Sequence, residues 1–380
     1  MAAAWPFNTV RKSLPSRRNL LALCLTVPLT LLVGKLPGRG GVLRRPPAPP
    51  EAGCRRVYRL GAVSYRQEEE WPAVGGCVAP LLTPALLRRC VEQRARRRRR
   101  PTSLLVLGDS RMRLLYQRLA EELGAPTPPE TTKPDGSWQR HIHWTNSPER
   151  WCQLCPWNCC PRAAAAAGVA LRFEWRPFWT EAMVSELEAA AVSCERGHRD
   201  CPDLVLVNGA LWYQLLSPRL EMAELMRQQV SRAAPALARL ASLTRLVWKL
   251  DEETINDIVT DVHRSGPAEV PTLHAVVYDA ARKIPGLVIW SSALPESTGF
   301  TRIKCQPLKQ FVRSGVLNEA TFHHECGQDV VHGSVAVMTK AVQMMFTDLC
   351  ARDLDFTTLE EETQNMSVMP PFCCSTQMDT

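Results

Sequence analysis

From about residue 103 onward, the chain alternates short apolar runs with longer amphipathic stretches. Runs of four or five apolar residues are typical of strands that are buried on both faces, as they are in a parallel sheet. Short runs that are largely or wholly apolar predict five strands here, at residues 103–107, 171–175, 204–207, 246–250 and 287–290.

The stretches between these runs have the spacing of helices. Leu115, Leu119 and Leu123 recur at every fourth residue and would share one face of a helix over residues 110–123. Further helices are predicted near 81–94 and at 181–193, 221–243, 273–284 and 335–349. Alternating strands and helices predict an α/β fold, with a doubly wound, parallel five-stranded sheet flanked by helices. Ligands of such sheets bind beyond the carboxyl ends of the strands, so catalytic residues are expected directly after strands.

A separate apolar segment lies near the N-terminus. Residues 19–34 carry no charged side chain and have Arg and Lys on both sides. The pattern favours a retained signal anchor, and the alternative is a cleaved signal peptide on a secreted protein. Basic residues before the segment predict a cytoplasmic tail at 1–18 and a luminal bulk. The prediction is therefore a single-pass type II protein of the Golgi or ER membrane.

The regions after the anchor differ in composition. Residues 35–100 are interpreted as a Pro- and Arg-rich stalk and lead-in, residues 101–352 as the α/β domain, and residues 353–380 as a C-terminal tail. The net charge of +8 is concentrated in the first 45 residues and in the arginine-rich run 94–100. This run could contact an acidic substrate or be a protease target, but a solvated turn needs no function and is the favoured interpretation. Nucleic-acid binding is excluded if the domain is luminal.

Fifteen cysteines are many for a cytosolic enzyme of this size and favour an oxidising compartment with several disulfides. Four of them lie within residues 152–160 and suit either zinc or disulfides, but the adjacent pair within this group favours disulfides over a metal site. Cys194 and Cys201 are predicted to close a short loop. Cys305, Cys326 and Cys350 are expected to tie a long loop to the body. Asn365 begins a glycosylation sequon, which would fit a luminal face.

The sharpest candidate for chemistry is Ser110, in the sequence Gly108-Asp109-Ser110. The motif follows the first predicted strand and begins the first predicted helix. A serine there would face the crevice, where helix N–H groups favour negative charge and could stabilise an oxyanion. The alternative is an ordinary helix cap, since Asp and Ser are common at helix starts.

A serine nucleophile needs a base and a group that orients the base. His332 lies just before the last predicted helix, and Asp329 three residues earlier could orient its ring from the same loop. Asn208 follows the third strand and could donate to an oxyanion, although Asn-Gly is also an ordinary turn signal. Two further candidates, Arg111 and Arg113, could bind a substrate carboxylate.

Taken together, these motifs resemble the SGNH/GDSL hydrolases. The string GDSRMRLLYQRL, with LRFEWRPFW and DLVLVNGALW after it, is similar to the PC-esterase branch and to the luminal domain of Cas-type sialic-acid O-acetyltransferases. The resemblance covers about residues 100–350. It implies an SGNH/flavodoxin-like sheet, with Ser110 as nucleophile, His332 as base and Asp329 as its orienting group. The Ser110 N–H and Asn208 would contribute to the oxyanion hole.

The expected function is therefore acyl transfer through an acyl-serine, by an ester hydrolase or an O-acyltransferase acting on a glycan or a similar ester. No metal and no cofactor is expected for this chemistry. The alternative is a catalytically inactive SGNH-fold protein that binds glycans or a partner enzyme. That alternative would explain why the glycine and asparagine signatures of a complete oxyanion hole are not fully met.

Overall fold

A computed structural model of the 380-residue chain defines the fold. It describes residues 57–62, 77–78, 82–125, 162–166, 168–197, 199–216, 221–252, 270–300, 303, 305–318, 321–322, 326 and 335–350. Several predictions concern residues outside these ranges: the anchor, the cysteine-rich segment 152–160, Asp329, His332 and Asn365. No helix in the described part of the chain combines the length and the apolar character needed to cross a bilayer.

Eight strands and ten helices are defined within the described residues. The strands are β1 (Gly61–Ala62), β2 (Cys77–Val78), β3 (Thr102–Gly108), β4 (Arg162–Ala166), β5 (Val169–Trp175), β6 (Leu204–Val207), β7 (Arg245–Lys249) and β8 (Leu287–Trp290). The helices are α1 (Val57–Leu60), α2 (Pro84–Arg98), α3 (Ser110–Leu123), α4 (Glu181–Glu195), α5 (Leu211–Leu216), α6 (Met222–Leu243), α7 (Val270–Lys283), α8 (Leu294–Phe300), α9 (Gln306–Arg313) and α10 (Val335–Cys350).

The main sheet has six strands in the order β4-β5-β3-β6-β7-β8. All neighbouring pairs are parallel except β4 with β5. The α/β architecture and the five predicted strands are confirmed, but the predicted strand count of five was too low. The antiparallel edge strand β4 was missed because its sequence, RAAAA, is mostly alanine, which has little intrinsic preference for strands.

Helices cover both faces of the sheet. On one face α3 packs against α2 and α10, and on the other α6 packs between α4 and α7. The two faces arise because the chain moves from β3 to β5 in one direction and then back through β6, β7 and β8 in the other. Strand order reverses between β3 and β6, and this switch point is where doubly wound sheets form their ligand crevice.

Helix α2 belongs to this domain, although residues 35–100 were predicted to form the stalk and lead-in. It extends to Arg98, beyond the predicted end near residue 94. Its side chains Leu87, Cys90 and Val91 are fully buried in the main core. A disulfide between Cys90 and Cys350 joins α2 to the end of α10. The compact unit therefore begins well before residue 101.

Two further disulfides lie in the described part of the chain. The predicted bond between Cys194 and Cys201 is present. Cys305 pairs with Cys326, around a small separate cluster that includes Phe322. The expectation that Cys350 ties the loop near Cys305 is corrected, because Cys350 pairs with Cys90 across α2.

Candidate active site

Ser110 is the first residue of α3, two residues beyond the end of β3. The preceding residue, Asp109, caps the helix, and its Oδ1 accepts a hydrogen bond from the Arg111 backbone N–H at 2.9 Å. The cap role is therefore filled by Asp109, and the Ser110 hydroxyl is not needed for it. Ser110 retains 9% of its surface at the carboxyl edge of the sheet.

Three strand ends meet beside this serine. Gly108 pairs in register with Trp175 of β5, and its carbonyl accepts from the Arg176 N–H at 2.8 Å. On the other side, the Asn208 backbone N–H donates to the Leu107 carbonyl at 3.2 Å. The Gly108-Asp109-Ser110 turn therefore lies between the ends of β5 and β6, at the switch point of the sheet.

Gly108 makes this turn possible. Its φ is +155°, and a Cβ at this position would lie 2.6 Å from Cγ of Met112 and 3.4 Å from the Asn208 carbonyl oxygen. A side chain would therefore meet both an unfavourable backbone conformation and the first turn of α3. Glycine lets the chain pass close to α3 and so fixes where Ser110 begins the helix.

Gly108→Ala is expected to destabilise the fold by about 2 kcal/mol or more, because strain and overlap add. Thermal unfolding of the purified chain would measure the change. Gly197→Ala is the matched control, since Gly197 has φ +63° but a methyl group there would have no neighbour within 4 Å. A Gly108 variant no less stable than the Gly197 variant would contradict the proposed overlap.

Asn208 lies next to this turn, fully buried, but both N–H groups of its side chain are already used. Its Nδ2 donates to the Lys249 carbonyl at 3.2 Å and to Asp251 Oδ1 at 2.9 Å. Rotating the amide would turn its oxygen toward these two acceptors, so the orientation is fixed by their chemistry. In this arrangement the Asn208 side chain connects the end of β6 to the end of β7 by hydrogen bonds. The predicted oxyanion donation would require Asn208 to release one of these bonds.

Arg111 and Arg113 are both buried, with 2% and 7% of their surface exposed. The Arg111 guanidinium donates to the Glu252 carbonyl at 2.7 Å and lies 3.2 Å from Asp251 Oδ1. Its charge is thus balanced by the protein itself, so the predicted contact with a substrate carboxylate would require Arg111 to exchange these partners. The Arg113 backbone N–H donates to the Asp109 carbonyl at 3.0 Å within the first helical turn.

Asp251 is the centre of a buried polar network that no sequence motif had indicated. One carboxylate oxygen accepts from Asn208 and pairs with Arg111, and the other accepts from the Ala210 backbone N–H at 3.0 Å. Glu252 pairs with Lys249 and lies 3.9 Å from Arg111. Catalytic residues are expected just after the strands of such a sheet. That expectation would have pointed to these two carboxylates, since they follow the end of β7.

His274 of α7 joins the same network, with its Nε2 at 3.0 Å from the Asp251 carbonyl oxygen. Burial lowers the pKa of His274 from its ordinary value of 6.5, against the opposing effect of the Asp251 carboxylate. Burial also acts to raise the pKa of Glu252, but Lys249 and Arg111 outweigh it and lower that pKa. The network thus places an imidazole whose pKa is lowered near Glu252, a carboxyl group whose pKa is also lowered.

Asp329 and His332 lie outside the described residues, but the direction of α10, the helix that follows them in the sequence, is defined. Ser292, just after β8, donates to Met344 Sδ at 3.8 Å, whereas Arg245, at the start of β7, donates to the Asp348 carbonyl at 3.2 Å. Between these contacts α10 runs from the carboxyl side of the sheet toward its amino side. Its first residue, Val335, therefore lies toward the edge that carries Ser110.

The aromatic residues after β5 and β6 form a packed cluster. Trp175 and Phe178 each meet Trp212 edge to face, and Phe178 also meets Tyr213 with ring centroids 4.9 Å apart. Trp179 packs on Trp248 at 4.2 Å. All of these rings are at most 8% exposed, so they form part of the core and present no open face for stacking on a sugar.

A cleft of about 570 Å³ lies elsewhere, between α4 and the first halves of β3, β4 and β5. Its walls include Ser103, Ala164, Ala170 and Ala190. Ser110 and the residues around Asp251 do not line it. The cleft is therefore separate from the candidate active site.

The comparisons with known proteins return no match, whether to a protein-family model, to a curated protein or to a solved structure.

Proposed function

We propose that this chain is a serine-dependent acyl-ester hydrolase or O-acyltransferase of the SGNH type, acting on a glycan or a similar ester in the secretory pathway. The observation that carries the proposal is the position of Ser110. It begins α3 directly beyond β3, at the switch point, with its hydroxyl not required as a helix cap. Such a position combines exposure to the crevice with the field of a helix N-terminus.

In the proposed reaction, Ser110 Oγ attacks the ester carbonyl while His332 takes the hydroxyl proton. The alcohol leaves with that proton, and an acyl-serine remains. Water or a sugar hydroxyl then attacks the acyl-serine and gives its proton to His332. The acyl–Oγ bond breaks, His332 returns the proton to Ser110 Oγ, and the acid or the new ester is released. Asp329 would orient the imidazole, as the resemblance to SGNH enzymes implies.

The oxyanion in this reaction would be held mainly by the Ser110 backbone N–H at the start of α3. Asn208, which the resemblance also assigns to the oxyanion hole, has both side-chain donors engaged with Lys249 and Asp251. That engagement favours the second candidate function, an inactive SGNH-fold protein that binds glycans or a partner enzyme. The two candidates differ in one measurable property, the reactivity of Ser110.

The secretory location is supported by the three disulfides, because such bonds persist in oxidising compartments. The proposed membrane anchor, residues 19–34, rests on the sequence pattern alone. An ester of an extracellular or luminal glycan is the substrate class that this location would supply.

A fluorophosphonate probe would test the proposal on the full-length chain in mild detergent. We expect covalent labelling, with the adduct located by mass spectrometry on the peptide that contains Ser110, together with release of p-nitrophenol from its acetate. Exposed Ser185 of α4 serves as the control, and Ser185→Ala should label as the wild type does. Absence of labelling under conditions that label a known serine esterase would favour the binding protein.

A further inference from the structure

Two groups of arginines on α2, together with Arg99 and Arg100 just after it, have different surroundings. Arg94, Arg98 and Arg100 converge on one buried carboxylate, Asp203. Arg100 Nη1 lies 3.0 Å from Asp203 Oδ2, which also accepts from the Ser103 backbone N–H at 2.8 Å. This group anchors the end of α2 to the amino edge of the sheet and is engaged within the fold.

The second group faces solvent. Arg88, Arg89 and Arg96 of α2 and the following Arg99 are all exposed. Arg89 and Arg96 are seven residues apart, which places them two turns apart on one side of the helix, opposite the buried Leu87 and Val91. The acidic residue on this side of α2 is Glu92, whose bond to Arg96 is exposed and 3.4 Å long, so it offsets little of the charge.

Arg99 adds an independent observation. It caps α2 with φ 54° and ψ 29°, and it is the one non-glycine residue with left-handed backbone among those the structure describes. Glycine is the usual residue at such a position because it adopts this conformation without steric cost. A non-glycine residue in this conformation carries a backbone cost, which makes Arg99 a candidate for a role beyond capping the helix.

We propose that this arginine surface, formed by Arg88, Arg89, Arg96 and Arg99, binds a sulfated polysaccharide chain. Guanidinium groups bind sulfate and phosphate oxygens in a bidentate way, and all the basic residues of α2 are arginines. The spread of these four arginines along α2 and its C-terminal cap fits an extended polyanion. The disulfides indicate a compartment where sulfated glycans, and not nucleic acids, are the abundant polyanions.

A membrane surface fits less well. Peripheral helices that bind acidic lipids usually add large apolar side chains that enter the bilayer. No large apolar residue of α2 is exposed. The arginine surface lies on α2, which packs beside α3. The end of this helix is fixed to the amino edge of the sheet through Asp203, away from the carboxyl edge that holds Ser110. The proposal is therefore independent of catalysis.

Heparin serves as the probe, with the full-length chain in mild detergent and titrations at several salt concentrations. The variant Arg89→Ala with Arg96→Ala should bind heparin on the order of twentyfold more weakly, at about fivefold for each charge near a polyanion. Its affinity should also depend less steeply on salt. The control is Arg227→Ala with Arg282→Ala, which removes two exposed arginines from the opposite face of the sheet and should bind as the wild type does.

The variant Arg99→Gly tests whether heparin affinity can fall without a loss of stability. Glycine suits the backbone at this position, so the melting temperature should stay the same or rise, while heparin affinity should fall about fivefold. Unchanged heparin affinity in the Arg99 and the Arg89/Arg96 variants would overturn the proposal. Competition by RNA, or by phosphatidylserine in mixed micelles, that matches heparin at equal charge would overturn it as well, in favour of another class of ligand.

Discussion

Replacing Ser110 by alanine is expected to reduce ester hydrolysis by the full-length chain at least about a thousandfold and to abolish fluorophosphonate labelling. The reason is that the acyl-serine cannot form without the hydroxyl, and water would have to attack the ester directly. The rate of p-nitrophenol release at saturating ester, together with labelling, measures the effect.

The same variant should fold normally. Asp109 provides the helix cap, and no hydrogen bond joins the Ser110 hydroxyl to another residue in the described ranges. The free energy of unfolding should therefore change by less than about 0.5 kcal/mol. Full hydrolytic activity in the Ser110→Ala protein would assign the activity to another residue and remove the basis of the proposed mechanism.

The largest effect on stability is expected at Asp251. Asp251→Leu leaves the buried Arg111 guanidinium without its closest carboxylate, and it leaves one side-chain N–H of Asn208 and the Ala210 N–H without an acceptor. Removing one partner of a buried ion pair costs about 3–5 kcal/mol, because the remaining charge stays desolvated. Chemical denaturation followed by tryptophan fluorescence would measure the loss.

Asp279→Leu is the matched control, since Asp279 pairs with Arg282 on the exposed side of α7. An exposed pair of this kind contributes less than about 1 kcal/mol. Asp251→Asn keeps an oxygen acceptor but removes the charge, so its stability should fall between the two. Equal stability of the Asp251→Leu and Asp279→Leu proteins would show that Arg111 finds other compensation.

The sequence predicted the fold best where tertiary packing and local pattern agree. β6 and β8 were placed at their observed bounds, because short continuous runs of Leu, Val, Ile and Trp can satisfy both faces of a central sheet. β4 lies at the edge and pairs with β5 by backbone bonds, which an alanine run does not signal. The end of α2 was placed too early because a run of arginines looks solvated, whereas three of these arginines pair with Asp203, about a hundred residues later.

In the candidate site, too, the sequence predicted what depends on local pattern and missed what depends on contacts between distant residues. Ser110 was located by a local argument, the turn from a strand into a helix, and the structure places it there. The role of Asn208 depends on Asp251, 43 residues further along the chain, and no local pattern specifies that pairing. Arg111 is still farther from its partner in sequence, since Asp251 lies 140 residues after it. Contacts of this kind follow from strand order, which the sequence pattern left open.

The disulfide between Cys90 and Cys350 has a consequence for biosynthesis. Its two cysteines are 260 residues apart, and α10, which carries the second, is the last described element of the chain. During synthesis, the thiol of Cys90 therefore has to wait for its partner until the chain has been made through residue 350. A chain that stops early keeps a reactive thiol on α2 and remains open to mixed disulfides with oxidoreductases. The bond thus forms only after every strand and helix of the described domain has been made, and it separates chains that contain α10 from chains that stop before it.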